Sequence, residues 1–247
     1  MSTFTDGSGQ EGSSDGTARP GWRDLERIVA AWLGGSAPQN KGIFDVIVES
    51  PGKPEELYGI SVKSKKLSKR GFKDLLNGGR VYMELCNSPA KLWEPLSALG
   101  IGESDFRKER RASEIGNSIL ATVHDWYENS KITNLNVAKS AHLAISYFTK
   151  PGVIPIFQLH SFDLGFPKGV EWRYKSDRCL SGFDPTAPDE VLFDWYALSG
   201  GQLKFYPSTA QARFSSPQFP LISLSSCTID EKARSMWSKD ECWSEGS

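Results

Sequence analysis

Residues 45–66 read DVIVESPGKPEELYGISVKSKK. Two runs of β-branched and aromatic residues, 43–48 (IFDVIV) and 58–62 (YGISV), enclose the segment 49–57 (ESPGKPEEL), which is dense in Pro, Gly and charge. The pattern predicts two strands joined by a hairpin loop. Side chains alternate along a strand, so Ser61 and Lys63 project from one face, and a hairpin of this size can bring Asp45 beside them. An ionised Asp and Lys on a half-buried hairpin are unfavourable unless paired or bound to a metal. One reading is a partly exposed ion pair at a sheet end. The other is a site for phosphodiester hydrolysis. There Asp45 holds Mg2+ through oxygen and the ion helps activate water and offset phosphate charge. Lys63 neutralises developing negative charge and orients the attacking water.

The flanks extend this frame. Trp22, Leu25, Ile28, Val29, Trp32 and Leu33 recur at helical spacing, and Gly34-Gly35 ends the run. A helix there packs an apolar stripe on the core with Glu26 at its flank. Past the Lys strand comes KSKKLSKRGFK (63–73), read either as a solvated loop or as a clamp on a nucleic-acid backbone. A second basic group, Arg107, Lys108, Arg110 and Arg111, opens a predicted helix over 104–129. A third strand is expected at 81–85 (VYMEL) and a helix over 135–147. The last third reads as strands at 153–159, 191–197 and 202–206, separated by Pro/Gly loops, with a polar helix or tail from Thr228. SGGQLKFYP (199–207) reads as a tight turn into a strand, and secondarily as a recognition loop.

Composition limits the alternatives. The 247 residues carry a net charge of about −1, so attraction to nucleic acid has to come from local basic patches. The four cysteines (Cys86, Cys179, Cys227, Cys242) are widely spaced and form neither a disulfide framework nor a zinc motif. His124, His142 and His160 are isolated in sequence and read as core or surface residues rather than ligands. A phosphate loop and a nucleophile elbow are both missing from the sequence. Residues 1–20, rich in Gly, Ser, Thr and Asp, read as a disordered tail, followed by one domain over 21–247 with a strand-rich C-terminal portion. The opening residues lack signal-peptide character, and no apolar run nears the about 20 residues that span a bilayer. The expectation is a cytoplasmic protein.

The strand–loop–strand with Asp45 and Ser61-Val62-Lys63, preceded by a helix and followed by a basic segment, resembles the PD-(D/E)xK nuclease superfamily, of which type II restriction endonucleases are members. The motif covers about a fifth of the sequence. The resemblance implies an α/β, restriction-endonuclease-like fold, with a central mixed sheet flanked by helices. It implies a Mg2+-dependent endonuclease acting on double-stranded DNA at a specific sequence, leaving a 5′-phosphate and working as a homodimer. Asp45 and Lys63 take the catalytic positions, and Lys65, Lys66, Lys69, Arg70, Arg110 and Arg111 the DNA-binding ones. There are two departures: Phe44 stands where Pro is usual, and Ser61 stands where an acid is usual. Ser61 cannot supply a second anionic ligand, so another acid has to join Asp45 on the metal. Glu84, in an apolar strand, is the first candidate, then Glu26, then Glu49. Two alternatives stay open: a repair or defence nuclease of the same superfamily that reads structure, and an inactive nuclease-like protein that only binds nucleic acid.

Overall fold

A computed structural model describes residues 10–12, 18–20, 22–38, 42–106, 108–150 and 153–220. The expected C-terminal helix or tail from Thr228 lies outside them. In chain order the elements are β1 (Gln10–Gly12), β2 (Ala18–Pro20), α1 (Trp22–Leu33), β3 (Val46–Ser50), β4 (Lys53–Lys66), α2 (Lys69–Asp74), β5 (Met83–Asn87), α3 (Pro89–Ala98) and α4 (Ala112–Glu128). There follow β6 (Ala141–Phe148), β7 (Ile156–Asp163), β8 (Glu171–Ser176), β9 (Cys179–Asp184), β10 (Ala187–Tyr196), β11 (Gln202–Phe205), β12 (Phe214–Ser215) and β13 (Phe219–Pro220). The fold is mixed α/β, with one mixed sheet, one antiparallel sheet and helices. Among the described residues no helix is long and apolar enough to cross a membrane.

The chain divides into two compact units that alternate along the sequence, where the sequence reading expects one domain after residue 20. The first comprises Met1–Gly79, Lys131–Asp163 and Thr209–Ser247; the second comprises Arg80–Ser130 and Leu164–Ser208. Within the segment read as a disordered tail, β1 and β2 pair antiparallel.

The first unit is built on a sheet of order β12-β7-β6-β4-β3, with β13 also pairing β7. All neighbours are antiparallel except β4 and β6, which are parallel from Ile60↔Ala141 to Lys66↔Tyr147. Helix α1 lays Leu25, Ile28, Val29 and Trp32 on one face, in a core with Val46, Leu143, Ile145, Phe157 and Leu159. Its end is set by Gly34, at φ 67, a left-handed conformation that glycine adopts without a Cβ penalty. The β3–β4 hairpin turns at Pro51-Gly52, with Gly52 at φ 76. Strand β4 therefore takes in Lys53–Leu57, which the sequence reading places in the loop. These residues are exposed or half-exposed; Lys53 and Leu57 pair with β3 on either side of a bulge, and Glu56 accepts from Asn136 (2.6 Å) and Lys139 (3.0 Å).

Two sequence expectations are corrected here. The helix over 135–147 is instead strand β6 after a single 3-10 turn, Val137–Lys139. Between β4 and β7, β6 is buried on both faces, so even its polar residues His142 and Ser146 lie inside, as in a central strand. The helix over 104–129 begins only at Ala112. Before it, Asp105 accepts from the Gly102 N–H (2.9 Å) and pairs with Lys108 and Arg111, holding the segment in short 3-10 turns.

The second unit holds an antiparallel sheet of order β5-β11-β10-β9-β8. The 199–207 segment forms the β10–β11 hairpin turn and strand, with Gly200 and Gly201 at positive φ. The sequence reading assigns no element to α3, β8 or β9. One face of this sheet is aromatic: Phe193 stacks on Phe205 (4.6 Å) and Trp93 meets Trp195 (4.9 Å). The other carries a cross-strand polar row of Glu84, Lys204, Asp194 and Ser181. Asp194, 3% exposed, accepts from Ser181 Oγ (2.5 Å) and the Tyr206 hydroxyl (3.1 Å), which satisfies a buried charge. Helix α4 packs on β8 through Gly116, where a Cβ would come 2.0 Å from the Trp172 ring. The same indole donates to Asn117 Oδ1 at 3.2 Å, so the ring cannot readily move aside.

Gly116→Ala is therefore expected to destabilise the protein by about 1–3 kcal/mol through overpacking, despite the higher helix propensity of Ala. Thermal unfolding followed by circular dichroism checks this. An unchanged or raised Tm would show that the helix–Trp172 contact is not tight.

Candidate active site on the mixed sheet

Asp45 immediately precedes β3, and two features of the local sequence fix it there. Its N–H donates to the Ile60 carbonyl at 3.0 Å. Phe44, 2% exposed, lays its ring over Gly59, where a Cβ would come within 2.4 Å of it. Glycine at position 59 thus lets an aromatic ring anchor the chain one residue before the acid.

The Asp45 carboxylate meets three groups of β4. Its Oδ2 accepts from the Val62 N–H (2.8 Å), lies 3.5 Å from Ser61 Oγ and lies 3.5 Å from Lys63 Nζ. The Asp45 and Lys63 side chains are 17% and 22% exposed, so the pair is largely withdrawn from water yet reachable. All three contacts fall on Oδ2, which among the described residues leaves Oδ1 for a further partner.

Register extends the site across the sheet. Ser61 pairs with His142, and the row through Lys63 runs to Ala144 and then to His160. Directly paired residues share a face. Ser61, Lys63, His142, Ala144 and His160 therefore all lie opposite the apolar face that packs on α1. His142 and His160 are both fully buried, and Ser61 is 1% exposed. Burial, with the Lys63 charge adding to it, lowers the His142 pKa to about 3. Burial lowers that of His160 to about 4. Both imidazoles are neutral at physiological pH. Among the described residues the ring nitrogens of His160 have no hydrogen-bond partner. The sequence reading of these histidines as core residues agrees with their burial. Their alignment with Ser61 and Lys63 comes from strand register, which leaves no mark in linear spacing.

The candidate second acids each sit in their own local setting. Glu84 is on β5, in the second unit's sheet, opposite Lys204. It accepts a hydrogen bond from Tyr82, whose hydroxyl is pushed up to about 12 by burial first and by the Glu84 charge next. The partner that an acid in VYMEL requires is thus supplied locally. Glu26 is half-buried on α1, which covers the sheet face turned away from Ser61 and Lys63. Glu49 is exposed on β3 opposite Leu57. Among the described residues no three His, Cys, Asp or Glu side chains form a metal-binding group.

The basic segment after Lys63 is partly strand and partly helix. Lys65 and Lys66 end β4, and Lys69 and Arg70 open α2, where Ser68 Oγ caps the Gly71 N–H at 3.1 Å. Lys69 and Arg70 are exposed, with Arg70 3.9 Å from Asp74. In the second unit Arg111 binds Glu114 through two contacts of 2.8 Å and Asp105 at 3.1 Å. Lys108 also takes Asp105, whose pKa falls well below the usual carboxylate range, chiefly through the Lys108 hydrogen bond. Arg110 is exposed, and Arg107 lies outside the described residues. Much of this second cluster is thus neutralised within the chain.

No family model, curated protein or solved structure matches this chain.

The buried histidines set an acid dependence of stability. Their folded pKa values lie below the unfolded value of about 6.5, so below that pH the unfolded chain binds protons that the folded chain refuses. Stability is expected to hold at pH 7 and to fall between about pH 6.5 and 4, by about 1–2 kcal/mol per histidine at pH 5. Urea midpoints at pH 7 and 5 measure it. The assignment fails if replacing both histidines by Gln leaves the pH dependence as it was.

Proposed function

We propose that this chain is a Mg2+-dependent endonuclease acting on double-stranded DNA, with Asp45 and Lys63 as its catalytic residues. The observation that carries the reading is the convergence of the Val62 N–H, Ser61 and Lys63 on one carboxylate oxygen of Asp45. Magnesium commonly takes one or two protein carboxylates and completes its shell with phosphate oxygens and water. Asp45, with Oδ1 remaining, would supply one carboxylate on its own, in place of the two-acid set that the resemblance implies. When bound, the ion supplies Lewis-acid stabilisation of phosphate charge and a more acidic water.

The chain's own groups then have separate tasks. The Val62 N–H and Ser61 hold the carboxylate oriented, so little reorganisation accompanies reaction. Lys63, drawn to Asp45 in the free protein, offers its ammonium to the phosphate oxygens as negative charge grows on them. Neutral His142 and His160 line the same face without adding positive charge that would compete with Lys63 for phosphate. Lys65, Lys66, Lys69 and Arg70 continue from the Lys63 strand and suit contacts to the DNA backbone. Sequence-specific cutting by a homodimer, with a restriction-endonuclease-like fold, is the form of this activity that the Asp45/Ser-x-Lys resemblance favours. Ser61, where an acid is usual, favours a second reading: a nuclease-like protein that binds nucleic acid without cutting it.

Digestion of a sequenced plasmid with and without Mg2+ separates these readings. Cleavage is expected only with the metal, and Lys63→Ala and Asp45→Asn are each expected to lower its rate by about 100-fold or more while leaving the circular dichroism spectrum unchanged. Discrete bands support sequence specificity and a smear supports a structure-reading nuclease. Binding without any cleavage supports the second reading. Wild-type cleavage by Lys63→Ala would falsify the site.

A further inference from the structure

Strands β4 and β6 run parallel, so they finish at the same end of the sheet, where Leu67 N–H donates to the Tyr147 carbonyl at 2.8 Å. Two segments gather there around Phe148. Helix α2 stacks Phe72 on its ring at 6.4 Å, and Lys150, just past β6, places its ammonium 6.0 Å from the ring centroid. Phe72 is 3% exposed, so α2 is anchored on its inner side while Lys69, Arg70 and Lys73 face solvent. The β6–β7 connection then continues from a turn in which the Val153 N–H donates to the Lys150 carbonyl at 3.1 Å. Val153 and Ile154 follow, 47% and 59% exposed, in a chain whose other large apolar side chains are mostly buried. An exposed apolar pair that follows Lys150, at the sheet end where α2 with its solvent-facing cations also packs on Phe148, is chemically lopsided. Water solvates the cations and not the pair.

We propose that Val153 and Ile154 form an apolar wedge that enters a groove of duplex DNA and unstacks a base step, while Lys69, Arg70, Lys73 and Lys150 hold the adjoining phosphates. The inference rests on the reading of this chain as a DNA-acting protein, and it adds a bending device distinct from the cutting site. Duplex DNA combines the two features this end of the sheet displays: a dense line of negative charge, and an apolar base stack reached through a narrow groove. Small apolar wedges beside basic residues unstack base steps in this way, offsetting the lost stacking with the added contact a bend allows. An anionic lipid surface offers the same charge but suits the wedge less well. Two partly exposed side chains add far less apolar burial than an acyl chain, and one acyl chain alone binds a membrane only marginally. The strand that carries Lys63 also leads directly to this basic end, which places the wedge on the path of a duplex seated at Asp45 and Lys63.

The experiment uses the full chain and a mixed-sequence duplex of about 40 base pairs, short enough to stay straight when free. The duplex is labelled at both ends and Ca2+ replaces Mg2+ to prevent cutting. Anisotropy reads binding and end-to-end energy transfer reads bending. Wild type is expected to bind and bend the duplex. The double variant Val153→Ser, Ile154→Ser is expected to keep its salt dependence, bind about tenfold more weakly and lose the change in energy transfer. The triple variant Lys69→Ala, Arg70→Ala, Lys73→Ala is expected to lose about one unit of salt slope per phosphate contact yet still bend the duplex at saturation. Bending by the double variant equal to wild type overturns the wedge. So does wild-type protein that ignores the duplex but binds phosphatidylserine vesicles through these two residues. The parent reading fails separately. Wedge-dependent bending without any Mg2+-dependent cutting keeps this inference and removes the nuclease, whereas cutting with wedge-independent bending does the reverse.

Discussion

The first unit depends on one strand. β4 is 14 residues long and is paired on both sides, antiparallel to β3 and parallel to β6. Its first half pairs β3 as far as Ile60 and its second half pairs β6 from Ile60 to Lys66, so each half takes its register from one neighbour. Because side chains alternate, that fixed register divides the chemistry in two. Ile60 and Val62 turn to the apolar layer under α1, while Ser61 and Lys63 turn to the other face. A slip of one residue would bury Lys63 under α1 and expose Val62. The Asp45, Ser61 and Lys63 cluster and the core are thus specified by the same pairing, and neither can drift without the other.

The polar face is energetically unusual. Fully buried imidazoles and a buried serine are unfavourable unless other contacts compensate. The chain handles the histidines by keeping them neutral, as their lowered pKa values show. It handles Asp45 differently, with a backbone N–H at 2.8 Å and an ammonium at 3.5 Å. Such a pair is weak as a stabilising element, because desolvation offsets much of the attraction. What the pair fixes is orientation: both charged groups are held at defined positions on the polar face. In the second unit Asp194 accepts from Ser181 of the flanking strand β9 and from Tyr206 just past β11, with the Lys175 ammonium 3.7 Å away.

The hairpin itself was legible in the sequence. Alternation in YGISVK, β-branched residues in IFDVIV and the Pro-Gly turn between them place Asp45, Ser61 and Lys63 together without reference to any other part of the chain. The stripe of α1 and its glycine stop were equally plain, because an amphipathic helix and a left-handed glycine are local properties. Local signals failed where burial is two-sided. β6 reads AHLAISYF, apolar on one face and mixed on the other because both faces are buried, and was expected as helix. The segment before α4 misled in the opposite way. Its residues favour a helix, but the Asp105 side chain ties the backbone into shorter turns.

Sequence alone determined the composition of the site: an acid, a hydroxyl and a lysine on two facing strands, followed by a basic run. It could do so because hairpin partners are close in sequence and period-two geometry orients them. Only the tertiary structure decided which residues stand beside that set. His142 reaches Ser61, and His160 lines up with Lys63, through parallel and antiparallel pairings between strands some 80 to 100 residues apart in the chain. Glu84, nearer in sequence to Lys63 than either histidine, went to a different sheet, where Tyr82 gives it a partner. The physical reason is the same for both. A buried polar group must find a partner, but which partner it finds depends on long-range strand order, and that order is fixed by the packing of the whole sheet rather than by residues near it in sequence.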